Sequence, residues 1–331
     1  MRVALSVAFA CLLACVTTPP AAMPAQVSQP QSMATDPNRG FEAGSPLESR
    51  MGGAPDAIVR QLKDAGLPAP TTHVLSDVEM KKLSAAFAML PPLHQRVLRD
   101  RLHSISFLDG LPNNALTSTV ESGAPYKTFD IIIRAGVLNE TISEIVTRKE
   151  RTCFDAAGSP LNVSINAGNL DAIVYVLTHE ASHIVDSSLD ITSHEGAEDP
   201  AKDVAMTPFT KGIWINRITP IPRYDSPLLA GSRYRSHGKA LPVAEAQALY
   251  ASLSKSPFAS LYGSSNWHDD FAELVTWYHL TQKLHQPYQI QLRDANKLIY
   301  TYEPMKSPLV TSRLCQIQRV YQESQVTPAR C

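Results

Sequence analysis

The run His179-Glu180-Ala181-Ser182-His183 carries the densest chemistry in the chain. On a helix, residues four apart share a face, so both imidazoles can reach one cation. Glu180 follows the first histidine and can serve a water at that cation without binding the ion itself. Zinc is the ion this pattern takes, because it makes a water acidic near neutral pH and a neighbouring carboxylate can accept the proton. The expectation is one Zn(2+), with His179 and His183 as ligands and Glu180 as general base in peptide-bond hydrolysis.

Two histidines leave such a site incomplete, since catalytic zinc normally takes three protein ligands. Extension to a third histidine is closed: Asp186 stands where that pattern requires glycine, and the residue six after His183 is Leu189. A glutamate on a later helix is the other common solution. The stretch Asp269-Asp270-Phe271-Ala272-Glu273 offers one. Phe271, Leu274, Val275 and Tyr278 form a core stripe, while Glu273 shares the opposite face with Trp277 and Leu280. A helix apolar on two faces is buried, and a buried carboxylate needs a partner. Glu273 is therefore the expected third ligand, a solvated helix glutamate being the plain alternative. Asp186, Asp269 and Asp270 are candidates to hold the histidines in the right tautomer. Tyr262, His237 and His268 are candidates to donate to a developing oxyanion. Ser182 lies between the histidines, but no nucleophile elbow supports a serine hydrolase.

The HExxH run and the later Asp-Phe-Ala-Glu helix together resemble the gluzincin type of zinc metallopeptidase over roughly residues 130–284. That resemblance implies His179, His183 and Glu273 as ligands and Glu180 as base. The thermolysin-like version has aspartate four residues after the ligand glutamate; here Trp277 stands there, so that subfamily is not expected. Two rivals remain: a catalytically silent zincin-like binding lipoprotein, and a metal-dependent amidase acting on peptidoglycan. An intact Glu180 speaks against the first, and no wall-binding module is apparent for the second.

The elements that must position these residues are readable from patterning. Leu161 to Asn166 alternates apolar and polar, as a half-buried strand does. Asn169 then caps a helix in which Leu170, Ile173, Val174, Leu177, Ala181, Ile184 and Val185 recur at three- and four-residue steps. Ser76 with Glu79 makes a capping box for a helix reaching about Leu90, and a further helix covers 93–102. Strands are expected at 104–108, 128–133 and, as an edge strand, 289–292. Helices are expected at 141–151, 243–253, 266–284 and 309–322, with a long irregular stretch at 187–241. The fold class is α+β and zincin-like. A small mixed sheet should pack on the HExxH helix, with a mostly helical C-terminal half.

The chain of 331 residues has a net charge of −1, with 44% hydrophobic and 18% charged residues. That is globular composition, and it gives no electrostatic case for nucleic-acid binding. Met1-Arg2 followed by an uncharged apolar run to Ala14 reads as a signal peptide over 1–14. Leu12-Leu13-Ala14-Cys15 resembles a lipoprotein processing site. The expected product is lipid-anchored at Cys15 in a bacterial cell envelope, otherwise periplasmic or secreted. The membrane is a partner only through that anchor. Residues 15–50, rich in Pro, Ala, Gln and Ser, read as a flexible tether. A helical N-terminal region at 51–125 and a catalytic domain at 126–331 complete the expected organisation. The partner is a peptide or protein substrate. Outside the signal remain Cys153, Cys315 and Cys331, in an oxidising compartment. A Cys315–Cys331 disulfide with Cys153 free is the expected count.

Overall fold

Helix starts are set by side chains that satisfy the first unpaired backbone amides. In the computed structural model, which describes residues 44–120, 126–195, 199, 201–202 and 204–321, α1 spans Asp56–Asp64 and α2 spans Asp77–Met89. Ser76 caps α2: its hydroxyl accepts from Glu79 N, and the Glu79 carboxylate accepts from Ser76 N at 2.9 Å. α3 (Pro92–Arg101) has proline in its first turn, where no backbone donor is lost. α4 (Ile142–Arg151) repeats the capping box through Thr141 and Glu144.

Between these helices lies a four-stranded mixed sheet in the order β1-β2-β4-β3. Its strands are β1 (Thr71–Thr72), β2 (Leu102–Asp109), β3 (Ala115–Val120) and β4 (Thr128–Arg134). β2 and β4 run parallel, and β3 joins antiparallel as an edge strand. The boundary expected between residues 125 and 126 thus falls inside one sheet. The described part of the region at 51–125, residues 51–120, is helix and strand together. One hydrophobic cluster, from Leu47 to Val320, joins both parts.

The chain continues through β5 (Phe154–Asp155) and β6 (Leu161–Asn166) into α5 (Ala172–Leu189), the HExxH helix. α5 packs against α2, α3, α4 and β3. It is buried on every face from Ala172 to Asp186 except at His183. Its N-cap is Asp171, not Asn169, and Asp171 offers no side-chain cap; its carboxylate instead pairs with Lys82 Nζ at 2.9 Å.

The stretch after α5 holds only short pieces: β7 (Trp214–Asn216), β8 (Thr219–Pro220), α6 (Pro227–Gly231) and β9 (Leu241–Pro242). α7 (Ala246–Leu253) and α8 (Trp267–Tyr278) follow, and α8 lies along α5. β10 (Gln289–Asp294) is not an edge strand. It sits between β6 and β11 (Lys297–Tyr302) in a three-stranded antiparallel sheet. The expected closing helix is broken into α9 (Pro308–Thr311) and a 3-10 segment at Leu314–Tyr321.

Cys153 is a free buried thiol and Cys315 is disulfide-bonded. Cys331, like the segments read as signal peptide, lipid-anchor site and most of the tether, lies outside the described residues. Among the described residues no helix is long and apolar enough to cross a membrane.

Candidate metal centre

α5 and α8 bring their polar side chains together along a seam that is otherwise apolar. From α5, His179 and His183 present their Nε2 atoms 3.1 Å apart. From α8, Asp269 Oδ1 lies 3.5 Å from each of these nitrogens. Those separations are too long for hydrogen bonds to the carboxylate, yet all three atoms face one point and can hold a metal ion there. Asp269 is fully buried and its Oδ1 has no hydrogen-bond partner. Its other oxygen is occupied, accepting from Asn266 Nδ2 at 2.6 Å and Ser265 Oγ at 3.1 Å. A buried carboxylate oxygen left without a donor is costly unless a cation meets it.

Glu273, the expected third ligand, is placed differently. Its Oε1 sits 3.0 Å from His179 Nδ1, on the far side of the ring from Nε2, off the line of the ring N–H. Tyr175 OH donates to the same oxygen at 2.7 Å, while Ser260 Oγ and Trp277 Nε1 donate to Oε2 at 2.6 and 2.9 Å. The correction is that Asp269 faces both Nε2 atoms and Glu273 backs one ring. The reason is a helical one: residues 269, 273 and 277 share one face of α8, and one turn of axial offset decides which carboxylate reaches which nitrogen. A carboxylate behind a histidine fixes its tautomer and orients its other nitrogen. Gly263 lets the preceding turn approach: a Cβ there would lie 3.2 Å from Glu273 Cβ.

The electrostatics follow from burial among opposed charges. Burial alone would lower the pKa of His179, but Asp269 and Glu273 outweigh it and push it up to about 9. Burial would raise Glu273, but His179 and the charge of Lys149 bring it down to about 2. Asp269 is likewise held well below the carboxylate range against the effect of burial, by His179 and His183. Without an ion, the seam therefore carries two ionised carboxylates with the His179 imidazolium between them.

Glu180, next to His179, is buried, and Thr117 Oγ1 on β3 donates to its Oε2 at 2.7 Å. Tyr262 stacks on His179, with ring centroids 5.6 Å apart, and Lys149 Nζ sits 3.2 Å over the other ring's centroid, that of Tyr262. Burial, then the charge of Asp269, push the Tyr262 hydroxyl well above its ordinary pKa, so it stays a proton donor. His237 is exposed on a turn. Asp270 faces Arg313 and Trp214, with bonds of 2.8 and 2.9 Å. Asp186 and His268 pair with each other at 2.9 Å. Thr117, Lys149, Tyr175 and Ser260 carry no motif, and only the fold reveals them at the site.

No protein-family profile, curated protein or solved structure matches the chain.

Proposed function

We propose that the chain is a zinc-dependent peptidase whose ion is held by His179, His183 and Asp269. The observation that carries this reading is the triangle of Nε2, Nε2 and Oδ1, with edges of 3.1, 3.5 and 3.5 Å. A tetrahedral ion with bonds of about 2.0–2.1 Å separates its ligand atoms by roughly 3.3–3.4 Å. Zinc supplies Lewis acidity, acidifying a water and polarising a carbonyl oxygen.

The chain's own groups do the rest. Glu180 accepts the proton of the attacking water, its carboxylate held by the Thr117 hydroxyl. Glu273 keeps His179 Nδ1 facing away from the ion. Tyr262, protonated and stacked on His179, donates to the oxyanion. Among the described residues β3 is the edge of its sheet, and that edge beside Glu180 suits an extended peptide, which can pair with such a strand. A His-His-Asp set departs from the gluzincin pattern, so the HExxH resemblance supports the reaction class but not that subtype. Export with a lipid anchor at Cys15 belongs to the same reading, and mass spectrometry of the mature N-terminus tests it.

The deciding experiment compares wild type with Glu180→Gln and His183→Ala for zinc content and peptide cleavage. Glu180→Gln should keep zinc and lose nearly all turnover; His183→Ala should lose zinc. Unchanged cleavage by zinc-replete Glu180→Gln would refute the mechanism. A silent binding protein predicts no cleavage by any form.

A further inference from the structure

A second cluster sits on the same two helices. Asp186 lies one turn beyond His183 on α5, and His268 immediately precedes Asp269 on α8. His268 Nδ1 is 2.9 Å from Asp186 Oδ2, and His194 Nε2, from the loop after α5, is 3.4 Å from the same oxygen. The three atoms are near enough to hold a metal ion. Two observations argue against one. Trp267 Nε1 donates to His268 Nε2 at 3.2 Å, so the neutral ring carries its proton on Nδ1, and a protonated nitrogen does not ligate. The rings of His194 and His268 stack at 4.6 Å and 27°, so their lone pairs run side by side instead of converging. Asp186 also needs no cation. Its Oδ1 accepts from Thr192 N at 2.7 Å, and its Oδ2 accepts from Thr192 Oγ1 at 2.7 Å and from His268 Nδ1.

We propose that Asp186, His268 and Thr192 form a brace that sets the approach of α5 to α8. They are positioning residues that hold His183 and Asp269 at coordinating distance. The inference rests on the metal-centre reading of His179, His183 and Asp269. Its physical basis is leverage: each brace residue on a helix is within one turn of a ligand on that helix. Both helices are rigid on that scale, so a slip at the brace is transmitted to the 3.5 Å separation of Asp269 and His183. Supports of this outer kind typically change metal affinity roughly 10–100-fold.

The test uses the full chain, stripped and titrated with zinc against a competing chelator, with ion stoichiometry and the melting temperature of the zinc-free form measured in parallel. His268→Leu should weaken zinc roughly 10–100-fold. His268→Asn, whose amide places an N–H where Nδ1–H stood, should recover most of that loss. One ion should bind per chain throughout. If His268→Leu does not fold, Thr192→Val carries the test, because it keeps the backbone donor to Asp186 and should weaken zinc about tenfold. A lowered zinc-free melting temperature with unchanged zinc affinity would overturn the proposal, leaving a merely structural clamp. Two ions in wild type, falling to one in His268→Leu, would overturn it in favour of a second metal site. A wild type that binds no zinc sinks the metal-centre reading itself, and the brace with it.

Discussion

Asp269→Ala and Glu273→Gln should damage zinc binding by different amounts and in different ways. Structural zinc sites with four ligands bind with about 10–16 kcal/mol, or roughly 3 kcal/mol per ligand, which is about two decades in Kd. Asp269→Ala removes an atom that faces both Nε2 nitrogens at 3.5 Å, so at least that loss is expected. Glu273→Gln removes only the carboxylate behind His179, and a loss of roughly 10–100-fold is expected. The pH profile separates the two roles further. In the zinc-free protein His179 is pushed up to about 9, so protons compete with zinc at all lower pH, and affinity should climb with pH towards that value. Glu273 is one of the charges that raise His179. In Glu273→Gln the affinity plateau should therefore be reached at lower pH. The assay is chelator competition on stripped full-length protein between pH 6 and 9. Full zinc affinity in Asp269→Ala, with binding abolished in Glu273→Gln, would refute the ligand assignment and restore glutamate as the third ligand.

Tyr262→Phe should keep zinc and lose roughly 100–1,000-fold in kcat, with KM little changed, because the lost donor serves the transition state; an equal loss in KM alone would count against that role. Glu150 is buried, with Tyr250 OH donating to it at 2.8 Å, and burial, partly offset by that bond, pushes its pKa from 4.5 up to about 7. A raised acid pKa means that stability is complete below the unfolded value and falls as pH rises through 7, by about 3 kcal/mol in all. Glu150→Gln should therefore stabilise the protein at pH 8 and much less at pH 5 in denaturant titrations; an equal effect at both would refute the assignment.

The HExxH helix was legible because its apolar recurrence persists over four turns and the motif lies within it. The capping boxes at Ser76 and Thr141 are local chemistry, and the former fixed its helix start without tertiary help. Face assignment on α8 was also legible: Glu273 does share a buried face with Trp277, whose indole donates to it. What spacing does not contain is how far α8 slides along α5, and that offset puts Asp269, not Glu273, opposite both Nε2 atoms. β3 carries no strand signal because Ala115-Leu116-Thr117-Ser118-Thr119-Val120 has little apolar contrast, its faces being only half-buried. β10 reads as an edge strand from sequence because β11, with Leu298 and Ile299 exposed, does not look like a paired strand. The true α5 cap could not be told from Asn169 because Asp171 makes no cap bond at all.

The groups at the α5–α8 seam that could hold a metal ion, His179, His183 and Asp269, come from segments separated by the whole stretch from α5 to α8. An ion seated there is a reversible cross-link closing a long loop. Covalent closure of a loop near that length removes roughly 4–5 kcal/mol of freedom from the unfolded chain. Half of such a link, the histidine pair, is local to α5, whereas the other half arrives only when α8 docks. Ion capture would therefore require the docked α5–α8 pair, and ion release should loosen it. Chelator treatment should leave the α2–α5 core resistant to proteases and should first expose bonds in the 204–266 stretch that the link holds closed.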